Sequence, residues 1–375
     1  MTDVKRLRIL QVMRSPVGGL FRHVADLTRA LAERGHMVGL IADSEAGDGQ
    51  TDAKLAALEP VAALGIHRFP IPRLLGAHDF TTPLKIRSLA RSLDVDILHG
   101  HGAKGGFGAR LARIGGRRPA TVYTPHGGAL HFDPRTLSGG TFMAIERVLL
   151  GTTDALIFES AYAQRTFASH VAHPRCRQDV IHNGLADVEF ETIEPARDAA
   201  DFVFVGELRL LKGIDLIVDA LAPLKRLDGT PATIIMAGDG PDAEMLRAKI
   251  GSLGLEQRVT LAGVQPARTM FTRGRCVLVP SRAESLPYIV MEAAAAGRPI
   301  IATNVGGIAE IFGPTSGRLI AADSADALRQ AMTAFLANPS GAASEAQERR
   351  AFVRSRFSLS RMVDGIEALY RDLSS

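Results

Sequence analysis

The chain has 375 residues, enough for two cores of ordinary domain size, and its 46% hydrophobic and 22% charged composition excludes an intrinsically disordered protein. Its 44 Lys and Arg against 40 Asp and Glu leave a net charge of +4, too small to mark a nucleic-acid binder. Cys176 and Cys276 stand far apart without metal-ligand spacing, which excludes a disulfide framework and a cysteine-based zinc site and leaves both as packing residues.

No apolar run approaches the length needed to span a bilayer, and the N-terminus lacks a small-residue cleavage site, so the expectation is a cytoplasmic protein. Short β-rich runs at 7–13, 37–42, 66–71, 96–101, 121–125 and 155–159 alternate with helical patterns. The first turn, Arg14-Ser15-Pro16-Val17-Gly18-Gly19, sets paired glycines before a helix over 20–34, in which Leu20, Val24, Leu27 and Leu31 share a face and Gly35 is the stop. Paired glycines let the backbone approach a phosphate, or simply make a tight turn.

Further along, His99 and His101 lie two apart on a strand and so face one side, but the sequence presents no additional ligands beside them, and no metal is assigned. Lys104, Arg110, Arg113, Arg117 and Arg118 form a basic cluster with no acid between Asp96 and Asp133. It reads either as a solvated helix face or as a contact with an anionic membrane surface. The strand end Thr124-Pro125-His126-Gly127-Gly128 offers an imidazole that can bind a hydroxyl or hold a proton near neutral pH.

The acidic, weakly apolar stretch 187–200 is the best linker in the chain, separating an N-terminal domain over 1–186 from a second over 201–356. The second domain repeats the alternation, with strands at 202–205, 233–236, 259–261, 277–279 and 300–302. Two parallel sheets, each with helices on both faces, follow from this pattern. The tail over 357–375 is an amphipathic helix with Leu359, Met362, Val363, Ile366, Leu369 and Tyr370 on one stripe, able to pack on either domain.

Ligands of such folds sit at the carboxyl ends of the strands, where several turns carry chemistry. Within 206–213, Arg209 and Lys212 stand before a helix, where cations oppose the helix dipole unless an anion neutralises them. Glu284 and Glu292 flank a helix start: Ser285 is the expected cap, Pro287 suits the first turn, and Gly297 with Pro299 ends a helix over 286–296. Glu292 falls in an apolar run and needs a defined partner, either an internal arginine or a ligand. The turns 238–241 and 304–307 are further flexible strand ends. The three-glycine fingerprint of a dinucleotide-dependent oxidoreductase is missing.

The Glu284–Glu292 spacing, supported in order by Asn183-Gly184, 206–213, 238–241 and 302–310, resembles the retaining glycosyltransferases of the GT-B fold, family four, also described as glycosyl transferases group one. The resemblance covers nearly the whole chain and implies two Rossmann-like parallel-sheet domains facing a cleft, with the C-terminal helix crossing back to an acceptor-binding N-terminal domain. It implies a UDP- or GDP-linked hexose as donor, held by Gly18, Gly19, Arg209, Lys212, Glu284, Ser285, Leu286, Pro287 and Glu292. Glu292 would bind the ribose and Glu284 the transferred sugar, Arg209 and Lys212 would hold the diphosphate as it leaves, and His126 would lie near the sugar and acceptor.

The transfer so implied retains the anomeric configuration and uses neither metal nor separate cofactor, the nucleotide sugar being the substrate. The expected acceptor is a saccharide or lipid-linked saccharide of envelope or extracellular polysaccharide, met at the inner face of the cytoplasmic membrane. Two departures from the family stand out, Glu207 where arginine is common and Pro287 where glycine is common. The rival readings are a GT-B nucleotide-sugar epimerase, which would consume donor without an acceptor, and a non-catalytic nucleotide-sugar-binding module.

Overall fold

The computed structural model describes residues 5–375 apart from 48, 74–75, 117 and 128–134. Two compact units divide the chain, Met1–Gly184 with Leu359–Ser375, and Leu185–Ser358.

In the first unit seven parallel strands, β1 Arg8–Val12, β2 Met37–Asp43, β3 Ile66–Phe69, β4 Ile97–His101, β5 Ala120–Thr124, β6 Ala155–Phe158 and β7 Arg177–Val180, lie in the order β3-β2-β1-β4-β5-β6-β7. The central strands are buried on both faces, which is why 97–101 and 155–158 read as continuous buried runs rather than alternating ones. β7 is not among the expected strands, because this edge strand, Arg-Gln-Asp-Val, has no apolar face.

Five parallel strands build the second unit: β8 Ala200–Val205, β9 Ile234–Ala237, β10 Val259–Leu261, β11 Gly274–Val279 and β12 Ile300–Ala302, in the order β10-β9-β8-β11-β12. In both sheets the order reverses beside the first strand, between β1 and β4 and between β8 and β11. A crevice for ligands is expected outside the carboxyl ends of those two pairs.

The stretch 187–200, expected as a linker, is part of the second unit. Asp187–Phe190 forms a 3-10 turn whose Phe190 is buried with Val290, Phe312 and Phe357, and one aromatic anchor of this kind overrides the polar composition around it. The last helix, Leu359–Leu373, belongs to the first unit: Met362, Val363, Ile366, Leu369 and Tyr370 are buried against Leu27, Leu31, Ile97 and Val122. Arg34, His36 and Arg371 surround Glu367 on this helix. Among the described residues no helix is long and apolar enough to cross a membrane.

The basic cluster is not a continuous exposed face. Arg110 is fully buried, its guanidinium bonded to both oxygens of Glu146 at 2.8 and 3.0 Å and stacked 3.8 Å from the Tyr123 ring. Lys104 meets Asp79 at 2.6 Å and Arg113 meets Asp154 at 2.8 Å. The compensating acids come from outside the window that made the cluster look uncompensated. Arg118 is exposed, and Arg117 lies outside the described residues.

Candidate active site

At the switch point of the second sheet, β8 runs into the turn 206–213 and β11 into the loop 280–287. Lys212 Nζ donates to Glu284 Oε1 at 2.7 Å, and Ser281 Oγ donates to the same oxygen at 2.7 Å. Glu284 is only 9% exposed, so this is the buried carboxylate of the segment. Among the described residues its Oε2 accepts no hydrogen bond and remains available to a ligand hydroxyl. The sequence reading singles out Glu292 as the carboxylate in apolar surroundings, but Glu292 is half-buried on its helix.

Two braces hold this geometry. Arg282 binds Asp215, in the helix after the 206–213 turn, through two bonds of 2.7 and 2.8 Å and Asp323 at 2.7 Å, and its amide donates to the Leu211 carbonyl at 2.8 Å, tying the loop to that turn. From the other side, Thr303 Oγ1 donates to the Ser281 carbonyl at 2.6 Å and the Gly307 amide to that of Ser285 at 2.6 Å. Gly306 sits at φ +60, and a Cβ there would collide with the Glu284 carbonyl oxygen, so the 304–307 turn acts as the backing of the Glu284 loop. Ser281, Arg282 and Asp215 join the site only in the fold. The only local signal was the i, i+3 spacing of Ser281 and Glu284.

The helix after the loop runs Tyr288–Ala295 with Pro287 as its N-cap and no side-chain cap, shorter than the expected 286–296. Pro287 has φ −73 and ψ 124, an extended conformation, so Ser285 lies too far back to cap. Leu286 and Pro287 are buried and Ser285 half-buried. Arg209 is exposed at the start of the 3-10 turn Leu210–Lys212 and forms no ion pair among the described residues. Gly213 follows at φ +70 against the carbonyl of Pro280 and opens the next helix, Ile214–Leu221.

In the first unit, Gly18 and Gly19 are the first residues of the helix Gly18–Glu33, capped by Val17, which has no side-chain acceptor, so the first-turn amides point out of the helix unsatisfied by a cap. A pocket of 420 Å³ beside it is lined by Arg14, Leu20, His101, Phe107, His126 and Ile145, among others. His126 adopts φ +51, a left-handed conformation unusual outside glycine. Gly128 lies outside the described residues.

His99 and His101 share a side of β4, as their spacing implies, with rings 3.9 Å apart. The fold adds His23 and His126, which no local spacing joins to them. His99 is held by Tyr370 and Thr124, His23 by Asn183, and His101 Nδ1 by His126 Nε2 at 3.1 Å. Burial lowers His23 to about 4, and it holds His99, His101 and His126 well below the ordinary histidine range, each further lowered by its neighbouring imidazoles. A larger hollow of 490 Å³ in the second unit, lined by Asp201, Arg226, Arg275 and Arg298, opens at the amino ends of β8, β11 and β12, the wrong end of a parallel sheet for its ligand.

Two doubly wound sheets with furnished switch points define the GT-B class of transferases. The Anabaena protein Alr3699/HepE, solved in complex with UDP, superposes with a TM-score of 0.79 at 19% identity, covering 98% of this chain and 100% of that one. The profile described as Glycosyltransferase Family 4 matches residues 17–187 and that of Glycosyl transferases group 1 matches 187–354, and the chain belongs to this family of glycosyltransferases.

Among its relatives, an alpha-D-kanosaminyltransferase of Streptomyces kanamyceticus is 28% identical over 46% of this chain and 45% of its own length. A D-inositol 3-phosphate glycosyltransferase of Mycobacterium avium is 29% identical over 60% of this chain and 54% of its own. The matches thus span about half the length of these two relatives.

Proposed function

We propose that the chain is a retaining hexosyltransferase that moves a sugar from a UDP- or GDP-linked donor to a saccharide or lipid-linked saccharide acceptor, in envelope or extracellular polysaccharide synthesis. The observation that carries this reading is the Lys212–Glu284 contact at the β8/β11 switch point, in a chain whose relatives are glycosyltransferases. A cation bound to a buried carboxylate can be shared with, or transferred to, an incoming diphosphate. The carboxylate is then left to hydrogen-bond hydroxyls of the sugar.

In this reading Lys212 and Arg209 offset the charge that develops on the leaving diphosphate, as oriented cations do in a low-dielectric site, and no metal or further cofactor takes part. Glu292 holds the ribose, and Ser285, Leu286 and Pro287 line the donor. Gly18 and Gly19 present amide donors suited to phosphate, and His126 offers a neutral imidazole to a sugar or acceptor hydroxyl. HepE has also been solved with UDP-glucose, which supports a nucleotide-sugar donor here. Work on a lipid-linked acceptor would bring the enzyme to the inner face of the cytoplasmic membrane, where Arg118 is the exposed cation of the basic cluster among its described residues and Lys104, Arg110 and Arg113 are paired internally.

The test is to incubate the protein with uridine, guanosine and adenosine diphosphate sugars and follow bound or hydrolysed donor by mass spectrometry. Engagement of one donor class is expected. A protein that engages none of them is not a glycosyltransferase of this kind.

A further inference from the structure

We propose that His23, His101 and His126 form a binding site for one first-row transition-metal ion of the Zn²⁺ class. Their rings come from three separate elements: the helix Gly18–Glu33, the end of β4 and the turn after β5. The ring centres are 4.8 Å apart for His23 and His126, 5.3 Å for His101 and His126, and 5.5 Å for His23 and His101. Three imidazoles bound tetrahedrally at ordinary zinc–nitrogen distances would have ring centres about 5 Å apart. One nitrogen from each residue already lies within 4.8 Å of the others.

The decisive feature is His23. Its Nδ1 meets the Asn183 side-chain oxygen at 2.9 Å, and because that oxygen can only accept, Nδ1 carries the proton. Nε2 is therefore a bare lone pair, buried on a residue 1% exposed and without a hydrogen-bond partner among the described residues. A metal ion satisfies such an atom directly, and an amide oxygen on the far nitrogen is the usual kind of outer support for a ligating imidazole. His101 packs against His99 with the rings tilted by 37°, and Tyr370 and Thr124 hold His99 from both ring nitrogens. Its Nδ1 meets His126 Nε2 at 3.1 Å while its buried Nε2 has no partner among the described residues, so Nε2 is the nitrogen His101 offers the ion. Burial also keeps all three imidazoles neutral, the form that ligates.

Donor chemistry sets the class of ion. Three imidazoles without a carboxylate or thiolate favour Zn²⁺, Co²⁺, Ni²⁺ or Cu²⁺ and disfavour Mg²⁺ and Ca²⁺, which need oxygen ligands. A fourth position can be filled by water or hydroxyl from the pocket that His101 and His126 line, which also gives the ion its way in. Occupancy would commit His126 and so withdraw it from any role toward a substrate hydroxyl.

Metal binding is measured apart from any transferase activity, because the ion alone is the probe. Untagged protein, stripped by chelator, is titrated with Co²⁺ followed by visible absorption, and then with Zn²⁺ to displace it. One equivalent with the intense bands of tetrahedral cobalt is expected, bleached by Zn²⁺ and unaffected by excess Mg²⁺. His23→Gln and His126→Gln should each weaken binding at least tenfold, Asn183→Ala less so, and substitution of the exposed His173, which is outside the cluster, by Gln not at all. His126, the least buried of the three, provides a variant expected to fold normally by circular dichroism. Absence of stoichiometric binding, or binding unchanged in folded His126→Gln, overturns the proposal.

Discussion

Lys212 Nζ and Glu284 Oε1, 72 residues apart in sequence, lie 2.7 Å apart where two strand-to-helix turns converge. The carboxylate is the more buried of the two, so Lys212 is the group free to swing toward a ligand while Glu284 stays fixed by Ser281.

Replacing either partner should separate chemistry from folding. Glu284→Gln keeps the shape of the side chain and one acceptor oxygen, and Lys212→Ala removes a charge that is partly solvated. In both variants turnover should fall by about 100-fold or more, the scale of losing an oriented electrostatic group. Thermal stability should shift only slightly. Glu292→Gln should raise the KM for donor with a smaller effect on kcat. Steady-state kinetics with a saturating acceptor decide the matter, and wild-type turnover in the first two variants would remove those residues from the mechanism.

Arg110 and Glu146 define the opposite case, a pair whose role is in stability. Glu146→Ala leaves a guanidinium buried and uncompensated, which costs about 3–5 kcal/mol. Replacing both partners by apolar residues, as in Arg110→Met with Glu146→Leu, should recover most of that loss. Urea denaturation of the single and double variants measures the difference, and binding to anionic vesicles should not respond to either.

Both pairs bear on how far this protein can be read from its sequence. The two parallel sheets were legible because strands buried on both faces leave unbroken apolar runs, and Glu284 and Lys212 were legible because strand-end turns are few and their charges stand out. Partners were not. Lys104 finds Asp79 and Arg110 finds Glu146 across gaps of 25 and 36 residues, so local charge cannot tell these inward-facing cations from a surface. The same limit hid the histidine cluster, since His23 is oriented by Asn183 from 160 residues away. Burial of Phe190 was equally invisible within a polar segment that reads as a linker.

Glu367 gives the fold a pH dependence of definite sign. Burial alone would raise its pKa, but hydrogen bonds from Arg34, Arg371 and His36 outweigh that and bring it down from 4.5 to about 2. A depressed carboxylate contributes stability that is fully present above its unfolded value and is lost as pH falls from about 4.5 toward 2. Wild type should therefore lose more stability between pH 6 and pH 3 than Glu367→Gln, whose side chain cannot ionise. Denaturant titrations at the two pH values test this. Equal losses would mean that the Leu359–Leu373 helix is not held by this charge.

Gly306 combines a positive φ with a Cβ position already occupied by the Glu284 carbonyl oxygen, whereas Gly229 has φ +82 and open space around it. Alanine at either position meets the backbone strain of a left-handed residue, on the order of 1–2 kcal/mol. Only at Gly306 must the loop also move. Gly306→Ala should therefore lower turnover at least tenfold, because displacing Glu284 by a fraction of an ångström misaligns it toward a substrate. Gly229→Ala should lose comparable backbone stability with turnover intact. Measuring kcat and the unfolding midpoint in both variants separates the clash from the strain, and full activity in Gly306→Ala would mean that the 304–307 turn does not position Glu284.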